Sequence, residues 1–275
     1  MSHPRFAEAR ATYLDQTLAV YETRNFPGQM KPDAERVILI GIFLALWAKG
    51  EASGRPSRLS LTRVKGAVAE AGLFGQRQVD DIVARLVQTG HVIARADAAD
   101  ARLRILEPGE PLLAWNRSWL RAYHEPLQLL YPDPGFARAL DPDPAFQRAI
   151  LAQGLDALPA ANEVLAHDPA VSDLYGRPGA FNTLLSMVRL QRADPESRFR
   201  ESQVAVLAQP FGVSRSHVRN IIQTATERNL LSRSPDAQAD IRVAPRGLDA
   251  ADRFIADTLR TSEVTYRAAE RRADA

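Results

Sequence analysis

Internal repetition constrains this chain more than any other feature. Val79-Asp80-Asp81-Ile82-Val83 lies over Val218-Arg219-Asn220-Ile221-Ile222 at an offset of 139 residues. Arg102-Leu103-Arg104-Ile105-Leu106 falls near Asp240-Ile241-Arg242-Val243-Ala244 at 138, and Gly109 falls on Gly247. Identity is low, but the order, spacing and punctuation of the elements agree across about 75 residues. Self-similarity at a fixed separation marks one supersecondary unit used twice. Whatever fold suits one copy must therefore suit the other.

Helical periodicity dominates and strands are scarce. Phe6 to Arg24 reads as an amphipathic helix stopped by Pro27 and Gly28. Pro32 and Asp33 open the next helix, Ala34 to Lys49, which is apolar almost all round and so belongs in a core or an interface. After a Gly- and Ser-bearing break, Gly50 to Ser57, the spacing predicts helices over Leu61–Ala71 and Gln76–Thr89, joined by a turn at Gly72 to Gly75. Gly90 ends the second helix. His91–Ala94 and Arg102–Leu106 read as strands around a polar tip at Asp97 to Asp100, followed by a helix over Leu112–Tyr131. The pattern then returns. Helices are expected at Gly179–Arg192 and Glu201–Gln209, with a turn at Phe211-Gly212-Val213 and a helix to Arg228 capped by Ser214. A strand starts at Leu230-Leu231, the tip is Pro235 to Ala239, Ile241–Val243 returns, and Gly247 precedes a closing helix to about Arg272.

Residues 132–177 differ in character. Prolines recur at 132, 134, 142, 144, 159 and 169, and over residues 126–178 three arginines face seven acids. A helix over Phe146–Leu158 makes this a structured connection more than a free linker. Three parts follow: residues 1–131 with the first unit, an acidic Pro-rich helical connector over 132–177, and residues 178–275 with the second unit.

Composition removes several classes. The longest apolar run, Val37 to Ala48, has 12 residues, while a membrane-spanning helix needs ~20. Met1 to Arg10 is polar with no apolar stretch behind it, so no secretory leader is expected. Without cysteine there is no disulfide framework, iron–sulfur cluster or thiol catalysis, and the expected compartment is the cytoplasm. The formal charge of +2 implies no polyanion partner by itself. The 35 basic residues include only three lysines, beside 44 alanines, a bias that GC-rich codon usage explains as readily as phosphate recognition does. No G-x-S-x-G, P-loop, G-x-G-x-x-G or H-E-x-x-H motif occurs. No histidine pairing has metal spacing. The expectation is a non-enzyme without cofactor or metal.

Helix, tight turn, second helix and a hairpin with arginines beside its tip is the winged helix-turn-helix plan. The run Val204 to Ile222 carries it most sharply: Ala208 is small where the helices cross, Gly212 supplies the turn, and Val213 and Val218 hold the second helix down. Over residues 32–125 and again 178–270 the chain resembles MarR-type winged-helix transcription regulators. That resemblance implies a mainly α fold with small β wings, recognition helices in the major groove, and terminal helices that interlock two units. Two units in one polypeptide depart from the family and imply two tandem winged helix-turn-helix units arranged as a pseudo-dimer.

Carried onto this sequence, the second recognition helix offers Arg215, Ser216, His217, Arg219 and Asn220, with Arg233, Arg242 and Arg246 on its wing. Arginine can fork onto guanine and asparagine onto adenine. The first offers Gln76, Arg77 and Gln78, with Arg95, Arg102 and Arg104 on its wing. There Asp80 and Asp81 stand where Arg219 and Asn220 stand in the second copy, and residues 59–106 net +2 against +4 for residues 198–246. The C-terminal head should therefore bind more strongly, the two heads ~10 base pairs apart on one face of an asymmetric site. The expected partner is double-stranded DNA, with a small-molecule effector as a further possibility and a monomeric pseudo-dimer or a homodimer as the assembly. Trp47, Trp115 and Trp119 read first as packing residues, and walls of an effector pocket are the other reading. Two rivals stay open: a tandem winged-helix replication initiator, and a protein-interaction module of a chromosome-organising complex.

Overall fold

In a computed structural model, which describes residues 2–51, 57–70, 75–97, 100, 102–234 and 241–274, helices carry nearly all of the core. The first part contains α1 (Phe6–Val20), α2 (Ala34–Glu51), α3 (Leu61–Glu70), α4 (Gln76–Gln88), β1 (Val92–Ala96), β2 (Arg104–Pro108) and α5 (Glu110–Leu130). The connector holds α6 (Ala137–Leu140), α7 (Pro144–Ala152), α8 (Gly154–Ala166) and α9 (Pro169–Tyr175). The last part contains α10 (Ala180–Ala193), α11 (Glu201–Ala208), α12 (Arg215–Glu227), β3 (Leu231–Arg233), β4 (Ile241–Val243) and α13 (Pro245–Ala273). The protein is mainly helical with two small antiparallel sheets, and no helix among the described residues is long and apolar enough to cross a membrane.

The order α2-α3-α4-β1-β2-α5 recurs as α10-α11-α12-β3-β4-α13. In each, one residue before the first short helix bridges the returning strand, Ser60 to Ile105 and Phe199 to Ile241. Such two-stranded ribbons are marginal alone and are held here against helices. The same close approach also recurs behind each hairpin. A Cβ on Gly109 would fall 2.2 Å from the Gly90 carbonyl oxygen, and one on Gly247 2.1 Å from that of Leu230. Neither position has room for a side chain.

The bridges correct one detail of the alignment. Ile105 corresponds to Ile241 at an offset of 136, two residues from the sequence match at 138, because the second hairpin is shorter between its paired arginines Arg95 and Arg233 and these bridging isoleucines. The strand expected from Leu230 starts at Leu231, and Gly247 lies inside α13 rather than before it. The turn residues 72–74 and most of both hairpin tips lie outside the described residues.

The connector is part of the core. Instead of one helix over Phe146–Leu158, the chain makes α7 and α8, broken at Gln153 and Gly154. Gly154 packs so close to α2 that a Cβ there would stand 3.1 Å from the Ala45 Cβ. α7 packs on both α2 and α13, so the all-round apolar α2 closes an intrachain core. Tyr266 of α13 meets Phe136 and Phe146 with ring centroids 4.9 and 5.4 Å apart. Part of the connector's acidity is capping. Asp143 accepts from the N–H groups of Ala145 and Phe146, and Asp168 from those of Ala170 and Val171, at the starts of α7 and α9.

Two further ties join the halves. Asp252 of α13 accepts from Arg10 of α1 at 2.9 Å and Arg192 of α10 at 2.6 Å. Between α1 and α2, residues 23–32 form a strap touching both units. Thr23 N–H donates to the Pro210 carbonyl at 2.8 Å, Gly179 N–H to the Pro32 carbonyl at 3.0 Å, and Arg85 Nε of α4 to the Gly28 carbonyl at 2.8 Å.

Candidate nucleic-acid interface

α12 has the periodicity of a helix with one wet face. Val218, Ile221, Ile222 and Ala225 are buried, while Arg215, Ser216, Arg219 and Asn220 are exposed. Ahead of it Ala208 is fully buried, and Gly212 turns the chain at φ +71°, where a Cβ would press to 2.9 Å from Lys31 Cγ. Only glycine adopts that conformation freely. Ser214 is extended and its hydroxyl accepts from the His217 N–H at 3.4 Å. The remaining free N–H groups of the first turn, together with the helix dipole, make this end hospitable to an anion.

The predicted residues fare differently. Arg215 stands free of any ion pair among the described residues at the helix start, and the Ser216 hydroxyl lies 3.1 Å from that of Ser214. Arg219 is bound to Glu201 of α11 at 2.6 Å, a contact that strengthens its protonated form, with 76% of its side chain still exposed. Arg233 is exposed on β3 and shares a shallow groove with Arg219, Gln223 and Glu227. Arg242 instead donates to the Pro195 carbonyl at 2.9 Å. Arg246 is a correction. It sits in the first turn of α13, not on the hairpin, and pairs with Asp168 at 3.0 Å. His217 is a second correction. It is half-buried with its Nε2 out of solvent and unpartnered. Burial, then the charges of Arg177 and Lys31, hold its pKa below the ordinary histidine value.

α4 aligns with α12 residue for residue at the offset of 139, and Val79, Ile82, Val83 and Leu86 are buried where Val218, Ile221, Ile222 and Ala225 are. Gln76 and Arg77 are exposed at its start, where Gly75 provides no side-chain cap. Gln78 is turned to Glu35 of α2, the inward orientation of His217 in the other copy. Asp80 pairs with Lys65 of α3 at 2.6 Å. Arg95 pairs across the hairpin with Glu107, while Arg102 and Arg104 are exposed beside the tip. The sequence pattern did not single out Glu201, Lys65 or Asp168 as partners. A carboxylate or amine one helix away carries no local signal.

Trp115 belongs to the buried core and Trp47 and Trp119 pack against it, the packing role expected first, and Trp115 and Trp119 also line a cavity beside the connector. In comparisons with known proteins no family model matches the chain, and neither do any of the curated proteins or solved structures.

Proposed function

We propose that this chain is a cytoplasmic, sequence-specific duplex-DNA-binding transcription regulator, built as two tandem winged helix-turn-helix units in a pseudo-dimer of MarR-like plan. The observation that carries the reading is α12: a Ser-capped helix, anchored by four buried apolar residues, that presents Arg215, Ser216, Arg219 and Asn220 together to solvent beside a hairpin bearing Arg233. In this reading α12 enters the major groove. Arg215 and Asn220 read base edges, Arg219 exchanges Glu201 for phosphate or guanine, and Arg233 holds the backbone. Arg242 and Arg246 serve the protein's own packing. The reading contains no catalytic step.

For the first unit a second reading has its own support. Lys65 neutralises Asp80 and the exposed Asp81 offsets the exposed Arg77, so α4 has no net positive charge to offer phosphate, and this copy suits a weak DNA contact or a protein partner.

The test is fluorescence anisotropy with the protein's own upstream DNA and with random duplex at two salt concentrations. Salt-sensitive binding that favours the upstream DNA supports the proposal, because each phosphate contact releases counterions. Absence of binding at low salt would overturn it.

A further inference from the structure

The turn that launches α12 is crossed by a lysine from the other unit. A Cβ on Gly212 would stand 2.9 Å from Lys31 Cγ, 3.3 Å from its Cε and 3.2 Å from the Thr23 hydroxyl. The bare backbone of the glycine thus leaves the space in which the strap lies. Lys31 is fixed on both sides, since the next residue, Pro32, accepts from the Gly179 N–H at 3.0 Å and the Thr23 N–H donates to the Pro210 carbonyl at 2.8 Å. Its stem runs over the turn, three residues ahead of Arg215, and the ammonium lies one bond beyond Cε.

That ammonium has no acid of its own. Lys31 is exposed and forms no ion pair among the described residues. The acids of the neighbouring segments are taken by other cations: Glu22 by Arg24 at 2.5 Å, Asp33 by Arg36, and Asp173 by Arg177 at 3.1 Å. The charge of Lys31 is felt at α12, where it joins burial and Arg177 in holding His217 below the ordinary histidine pKa.

The two cations beside His217 come from matching places in the chain. Lys31-Pro32 leads into α2 and Arg177-Pro178 into α10, the first helix of each unit. The hydrogen bond from Gly179 to Pro32 brings these two segments together at α12. At α4 the strap presents a carbonyl instead, that of Gly28 to Arg85 Nε at 2.8 Å. A recognition helix that enters the major groove by its N-terminal residues brings the turn ahead of it beside the sugar-phosphate backbone. An ammonium there is a compact point charge, suited to a phosphate oxygen and not to the two-pronged reading of a base edge.

We propose that Lys31 binds a backbone phosphate of the duplex at the flank of α12, so that the strap, a segment of the first unit, forms part of the second unit's DNA interface. The inference rests on the DNA-binding reading of α12 and adds a contact that belongs to neither the recognition helix nor the wing. Lys31 is a positioning contact: it fixes the register of α12 on the backbone and carries no sequence information.

The test titrates the full chain with its upstream DNA and with random duplex over salt concentrations from about 50 to 200 mM. Lys31→Met keeps the stem over Gly212 and removes the charge. Its slope of log affinity against log salt should be shallower by about 0.9, with a loss of about five- to tenfold in affinity at the lowest salt. The loss should be equal on both DNAs, leaving the preference between them unchanged. Lys31→Arg should restore slope and affinity, and the urea midpoint should be the same in all three proteins, which a merely structural role for the side chain would not give. Lys31→Gln repeats the measurement should the exposed methionine cause aggregation. Failure of the wild type to bind any duplex at low salt would sink the DNA reading and this inference with it. Wild-type binding with an unchanged slope in folded Lys31→Met, or a loss confined to the upstream DNA, would overturn the inference alone.

Discussion

α4 and α12 are each 13 residues long and bury the same four positions, but they differ at almost every exposed one. Gln76, Arg77, Asp80 and Asp81 on the first become Arg215, Ser216, Arg219 and Asn220 on the second. Even the ion pair to the preceding helix is kept with its charges exchanged, Lys65–Asp80 against Glu201–Arg219. Exposed pairs of this kind contribute only ~0–1 kcal/mol, so the exchange alters what each unit shows to a partner far more than how well it folds. The comparison separates two kinds of position: those that hold the helix in place, and those that choose what it touches.

The largest test of this contrast is in DNA affinity. Arg215→Ala with Arg219→Ala should weaken binding by about 100-fold, from one base-reading contact at ~1–3 kcal/mol and one further contact to phosphate or guanine. Gln76→Ala with Arg77→Ala should cost less than about threefold. Equal losses in titrations of the two variants would erase the asymmetry. Next come the paired glycines. Gly109→Ala and Gly247→Ala each drive a Cβ into a carbonyl oxygen and should each lower stability by about 1–3 kcal/mol, as overpacking does. Urea unfolding that spares one of them would show that the units are not equivalent behind their hairpins.

Capping offers a finer comparison. Ser214→Ala should cost about 1 kcal/mol, whereas Gly75→Ser, in the uncapped copy, should gain a few tenths, both read from denaturant midpoints. The smallest effect concerns pH. His217 is held neutral below its ordinary pKa by burial and by the neighbouring cations, whereas its counterpart Gln78 does not titrate. As pH falls through ~6.5 the unfolded chain takes up a proton before the folded one, so this site's contribution to stability shrinks with acidification. The melting-temperature loss from pH 7.5 to 5.5 should therefore be smaller in His217→Gln than in the wild type, and an equal loss would remove His217 from the account.

The element order of both units was legible because its signals are local: the 3.6-residue spacing of Val218, Ile221 and Ile222, the serine cap, and glycine at the turns. The break between α7 and α8 was not. Both helices turn apolar residues toward α2 and α13, so the periodicity runs on across Gln153, and the interruption reflects how closely Gly154 must approach Ala45. Of the candidate interface, the exposed faces of α12 and β3 could be read directly. The engagements of Arg246 with Asp168 and of Arg242 with Pro195 depend on residues 47–78 positions away, beyond the reach of any pattern in a window. The cavity was only half legible: its tryptophans could be named, but the space depends on how the separate helices α2, α5, α8 and α13 meet.

The strap of residues 23–32 means that the two heads do not move freely of one another. One end is fastened to the turn that launches α12, and its middle is fastened to α4 through Arg85. A tilt of either helix pulls on the same ten residues and is transmitted to the other as through a gear. If both units engage DNA as proposed, this shared strap favours a site whose two contacts have one set separation over one in which the separation varies.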